Sequence, residues 1–188
     1  MQNKFKCFRE SILRKTVLFV AVLLLISCSL CSCIDGIMDI IRGNIMIIPD
    51  NESIGEAKTF ENEEFSITLT DKFVEMEEAP QGFDMHFASE FCGVFFFEEK
   101  FTVQEGFAEM SIEDYCKNVT DGITQADVIP QNFDGIWYFE IITNGNYSKS
   151  YCYKGTDSFW LVQFVCTEEN TPMLKDTFDL WAASVEVK

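Results

Sequence analysis

The sequence predicts an α+β fold, with one antiparallel sheet of about six strands packed against helices. Three observations carry this expectation. Several short runs alternate apolar and polar residues, the period of a half-buried strand. Two other stretches carry apolar residues at helical spacing behind residues that cap helices. Turn-forming residues separate the strand-like runs, at Asn144-Gly145-Asn146 and Gly155-Thr156-Asp157. A hydrophobic content of 47%, including 19 phenylalanines, supplies enough apolar surface for one core.

The strands are predicted in order. In Phe65-Ser66-Ile67-Thr68-Leu69-Thr70 the alternation is strict, and Asp71-Lys72-Phe73 follows as a turn. Phe83, Met85 and Phe87 alternate with Asp84, His86 and Ala88 to give a second strand. Val94-Phe95-Phe96-Phe97 is apolar on both faces, as a strand covered on both sides must be. Ile136–Thr143, Tyr147–Tyr153 and Phe159–Cys166 then read as an antiparallel meander. Ser111, with Asp114 three residues on, caps a helix whose apolar stripe is Ile112, Tyr115, Cys116, Val119 and Ile123. A second helix starts at Thr171 with Pro172 in its first turn and Leu174, Phe178 and Trp181 as its stripe. Ser184-Val185-Glu186-Val187 closes the chain as a short strand.

The first 27 residues read as an export signal. A basic stretch precedes an uninterrupted apolar run, Val17 to Ile26, too short to span a bilayer. Leu25-Ile26-Ser27-Cys28 then resembles the lipobox of bacterial lipoproteins, in which the cysteine is acylated and becomes the new N-terminus. The resemblance implies lipidation at Cys28, with Cys33 in Leu30-Cys31-Ser32-Cys33 as the second-choice acceptor. It also implies attachment to the outer face of the cytoplasmic membrane. Residues 28–56 are expected to be a lipidated N-terminus and linker, and residues 57–188 a single globular domain. The linker is unusual, because Ile34, Ile37, Met38, Ile41, Ile45 and Ile48 recur at helical spacing.

The charge is strongly acidic. Of 14 basic and 31 acidic residues, five basic (Lys4, Lys6, Arg9, Arg14, Lys15) and one acidic (Glu10) precede Cys28. That leaves 9 and 30, a net of −21 on the exported part. Such a surface repels phosphates and anionic lipids, which excludes nucleic acid as a partner and favours a monomer. The implied partners are the membrane, through the lipid, and a protein or glycan at the cell surface.

No catalytic constellation stands out. The single histidine, His86, falls on the polar face of its strand and reads as solvated rather than as a general base. Adjacent carboxylates (Glu63-Glu64, Glu77-Glu78, Glu98-Glu99, Glu168-Glu169) point to opposite faces of a strand and form no dyad by adjacency. Asn132-Phe133-Asp134-Gly135 is either a fragment of a Ca²⁺ loop or a plain β-turn. Tyr147, Tyr151 and Tyr153 share one strand face with Lys149, either as an aromatic platform for sugars and peptides or as packing beneath a helix. Cys92, Cys116, Cys152 and Cys166 lie in apolar segments, as core thiols or as two disulfides in one of three connectivities. No cofactor or metal is implied.

The element order, with "FSITLTDKF", "SIEDY", "FWLVQFVCTEE" and "FDLWAASVEV", resembles the PsbP-like family over roughly residues 58–188. Asp71 stands where proline is common in that family. The resemblance implies an antiparallel sheet sandwiched between helices, an α/β/α sandwich, and accessory or scaffolding roles rather than catalysis. The alternative architecture is a cystatin-like or nuclear-transport-factor-like cone. The expected function is therefore a non-enzymatic, membrane-anchored binding or assembly module of unknown ligand. The alternative is a carboxylate-dependent extracytoplasmic hydrolase.

Overall fold

The computed structural model describes residues 54–123 and 127–188. The expected leader, the expected lipidation at Cys28 and the apolar segment 34–48 lie outside these residues.

A seven-stranded antiparallel sheet forms the middle layer. Its strands are β3 (Val74–Glu75), β4 (Met85–Ala88), β5 (Cys92–Lys100), β6 (Gln131–Phe133), β7 (Ile136–Thr143), β8 (Asn146–Lys154) and β9 (Ser158–Thr167), in the spatial order β3-β4-β5-β9-β8-β7-β6. The expected meander is present as β7-β8-β9. The β6–β7 and β7–β8 hairpin turns follow from local chemistry. Asp134-Gly135 and Asn144-Gly145 each place both residues at positive φ (52° and 90°, 52° and 77°). This is the two-residue turn whose twist matches that of the strands. The Asn132 side chain also accepts from the Gly135 N–H at 3.1 Å, so the sequence that resembled a Ca²⁺ loop is a hairpin turn.

β9 lies at the centre of the sheet, and all but its last residue is buried. β5 beside it buries Val94, Phe95 and Phe96, which agrees with a strand covered on both faces. The edge strands β3 and β6 are two and three residues long and fully exposed, which limits the open edge offered to other chains.

One face of the sheet carries a second, smaller sheet and a helix. β1 (Ala57–Glu61), β2 (Phe65–Thr70) and β10 (Glu186–Val187) pair in the order β1-β2-β10. The single expected sheet is thus accompanied by a three-stranded one. β2 turns Phe65, Ile67 and Leu69 inward, as its alternation requires, and the Phe65 ring lies 4.6 Å from that of Phe96. Helix α2 (Thr171–Ala182) lies over the same face with Leu174, Phe178, Trp181 and Ala182 buried. Phe178 meets Phe164 at 5.1 Å. Ser184 accepts from the Thr68 N–H at 2.9 Å and so ties the end of α2 to β2.

Helix α1 (Ile112–Asp121) covers the opposite face. Ser111 accepts from the Asp114 N–H at 3.1 Å, the N-cap expected there, while its hydroxyl donates to the Asp114 carboxylate at 2.7 Å. Tyr115, Cys116 and Val119 pack on Phe139, Cys152, Phe159 and Leu161, with Tyr115 stacked on Phe159 at 4.2 Å. The sheet therefore divides two apolar clusters, one under α1 and one under α2 and the small sheet.

Candidate functional site

The most chemically dense region lies between β7, β8 and α2. β8 alternates Tyr147, Lys149, Tyr151 and Tyr153 onto the α2 face, so its lysine lands inside the core. Lys149 is 2% exposed. A buried ammonium needs partners, because desolvation costs several kcal/mol unless charge and hydrogen bonds compensate. Those partners are present. Lys149 Nζ stands 2.6 Å from Asp179 Oδ1 of α2 and 3.7 Å from Glu140 Oε1 of β7. Its ammonium also lies 4.4 Å from the Tyr138 ring centre and 5.5 Å from that of Tyr151, within cation–π range.

Further contacts extend the cluster. The Tyr151 hydroxyl donates to Asp179 Oδ1 at 2.8 Å. Lys175, one helical turn before Asp179, binds Glu140 Oε2 at 2.9 Å. Two lysines and two carboxylates thus alternate and balance. Burial, and then the hydrogen bond to Asp179, holds the Tyr151 phenol well above the usual tyrosine range. Burial and the Glu140 charge do the same for Tyr147. Neither phenol is poised to act as a base. Tyr153 donates to the Ala182 carbonyl at 2.8 Å. The three tyrosines therefore pack beneath a helix and do not form an open platform.

His86 departs from its expected place. The polar face of β4 is the face that meets Phe95, so the imidazole is half-buried and stacks on that ring at 4.3 Å and 15°. Burial pulls its pKa below the usual value. Gly93 makes room for this stack, because a Cβ there would stand 3.0 Å from the Phe95 ring.

Of the adjacent carboxylates only Glu98-Glu99 lies on a strand and separates onto its two faces. Glu63-Glu64 and Glu77-Glu78 fall in bends and Glu168-Glu169 in a 3-10 turn, where strand alternation does not apply. Glu98 pairs with Lys100 at 2.7 Å. Glu99, on the other face, lies beside Tyr115, and burial raises the pKa of both. Among the described residues no group of three His, Cys, Asp or Glu side chains is placed to hold a metal ion. Cys92, Cys116, Cys152 and Cys166 are buried free thiols.

The residues that sequence reasoning missed are Asp179, Glu140 and Lys175. One signal pointed to them. A lysine between two core tyrosines on a strand demands an acid from whatever covers it, and the covering helix offers Asp176 and Asp179.

No family model and no curated protein matches the chain. Solved structures do. The solution structure of cyanobacterial PsbP (CyanoP) from Synechocystis sp. PCC 6803 matches with a TM-score of 0.52 and 10% identity, over 76% of this chain and 99% of that one. A crystal structure from Bacteroides thetaiotaomicron VPI-5482 matches with a TM-score of 0.48 and 11% identity, over 72% of this chain and 49% of that one. This chain therefore spans about half the length of the Bacteroides protein. At these identities the likeness establishes the fold, which is of the PsbP type.

Proposed function

We propose that this chain is a lipoprotein anchored through Cys28 to the outer face of a bacterial cytoplasmic membrane, where it serves as a non-enzymatic binding or assembly module. The observation that carries the non-enzymatic reading is the mutual pairing of the polar cluster. Lys149, Asp179, Glu140 and Lys175 bind one another, with Lys149 buried beneath α2 and the carboxylates partly exposed beside it. A hydrolase built on Glu140 and Asp179 would need both carboxylates open to substrate, yet each is bound to a lysine. His86, stacked on Phe95, has no nucleophile among its described partners. Support for the anchor comes from the leader and its Leu-Ile-Ser-Cys sequence.

Three measurements test the two halves. Metabolic labelling with a fatty acid should mark the full chain in the membrane fraction, and Cys28→Ala should abolish the label. Label that survives Cys28→Ala and vanishes in Cys33→Ala would move the anchor to Cys33. Capture of the lipidated chain from its own membrane, with bound proteins and glycans identified, should recover a saturable partner. Hydrolysis of a glycoside or ester panel that Glu140→Gln abolishes would overturn the non-enzymatic reading.

A further inference from the structure

The four cysteines among the described residues permit three pairings, and the sheet eliminates two of them. Cys92 and Cys166 point to the face under α2, whereas Cys116 of α1 and Cys152 of β8 belong to the cluster under α1. A link between these groups would have to pass through the sheet. Within each group the two thiols are neighbours. Cys92 and Cys166 are directly opposed across β5 and β9. Cys116 and Cys152 pack in one buried cluster, and each thiol shifts the other's titration.

The backbone identifies which kind of opposed pair Cys92 and Cys166 form. Alternate residues of an antiparallel strand aim their polar groups at alternate neighbours. The Cys92 carbonyl accepts from Ser89, on the β4 side. Glu168, of the same parity as Cys166, donates to Gly145 on the β8 side. Residues of the other parity bond across the β5–β9 seam, as Phe101 does to Asp157 at 2.8 Å. Cys92 and Cys166 are therefore a non-hydrogen-bonded pair, the closer kind, with Cα atoms about 4.5 Å apart. That spacing falls at the short end of the disulfide range, about 4.4–6.8 Å.

We propose that the domain carries two disulfides when it folds in a thiol-oxidising medium, Cys92–Cys166 stapling β5 to β9 and Cys116–Cys152 stapling α1 to β8. Each closure removes two protons and two electrons from a thiol pair. They pass to a disulfide oxidant, either glutathione disulfide or an exported thiol oxidoreductase, which leaves as two thiols. The step belongs to folding. Once the core is shut, all four thiols are buried away from an oxidant. Burial raises the pKa of Cys92 to about 12, that of Cys166 to about 11 and that of Cys152 well above its usual value, while the neighbouring Cys152 lowers that of Cys116. The lipoprotein reading supplies the medium, while the pairing stands on the geometry alone.

The test is refolding of the full chain from denaturant in mixed reduced and oxidised glutathione, followed by alkylation and peptide mapping without reduction. The expected map joins Cys92 to Cys166 and Cys116 to Cys152. In Cys92→Ala, Cys166 should be alkylated and the Cys116–Cys152 link should persist. Alkylation of all four residues in the refolded wild type, or a Cys92–Cys116 or Cys92–Cys152 link, overturns the proposal. The same map on chain trapped by alkylation at cell lysis reads the compartment separately. Linked pairs after refolding but free thiols from cells would count against export and leave the pairing intact.

Discussion

Lys149 of β8 and Asp179 of α2, 30 positions apart in sequence, meet at 2.6 Å beneath the helix. The same strand and helix also share apolar surface, phenol hydrogen bonds and the Lys175 ammonium over the Tyr147 ring at 5.6 Å. Breaking one side of such a pair leaves an uncompensated charge in the core, which costs about 3–5 kcal/mol. Asp179→Ala strips Lys149 of its nearest partner and Tyr151 of its acceptor, so a loss of about 3 kcal/mol is expected from denaturant unfolding. Lys149→Met should cost a similar amount. The double variant Lys149→Met/Asp179→Ala should lose clearly less than the sum of the two single variants. Strict additivity would show that the two groups are not coupled.

The cap of α1 offers a smaller and cleaner test. Ser111→Ala removes the acceptor for the Asp114 N–H and the donor to its carboxylate. The expected loss is about 1 kcal/mol. Ser111→Asp should restore most of it, since aspartate caps comparably. An unchanged denaturation midpoint in Ser111→Ala would show that packing of Tyr115 and Cys116 alone holds the helix.

His86 makes stability depend on pH in a defined direction. Burial lowers its folded pKa below the unfolded value of 6.5. The unfolded chain therefore takes up a proton first as pH falls. The contribution is fully present above pH 6.5, is lost as pH falls through the folded pKa, and levels off below it. Unfolding measured from pH 7.5 downward should show this slope in the wild type and a shallower one in His86→Gln. Parallel curves would mean that the imidazole is protonated as readily folded as unfolded.

The acidic surface predicts what the domain refuses. With a net charge of −21 on residues 28–188, the protein lacking residues 1–33 is expected to remain monomeric at moderate salt and to retain neither DNA nor anionic vesicles. Calcium should bind weakly and without fixed stoichiometry, because the Asn132–Gly135 segment is spent on a hairpin. One saturable micromolar site in calorimetry would contradict this.

The elements legible in the sequence are those set by neighbours in the chain. Ser111 and Asp114 cap α1 within one turn, Asn144-Gly145 folds its hairpin through two positive φ angles, and the alternation in 65–70 fixes which face of β2 is buried. Strands β1, β3 and β6 carry no such mark, because largely exposed edge strands need no apolar period and exist through their partners' hydrogen bonds. Residues brought together across layers were illegible for a related reason. The sequence placed Lys149 on a core face but not Asp179 above it, and His86 on a polar face without Phe95 against it. It counted four cysteines without ordering them. Strand order and the choice of face for each helix decide those meetings. Both are set by how the whole set of apolar surfaces is buried at once, which no local window of sequence contains.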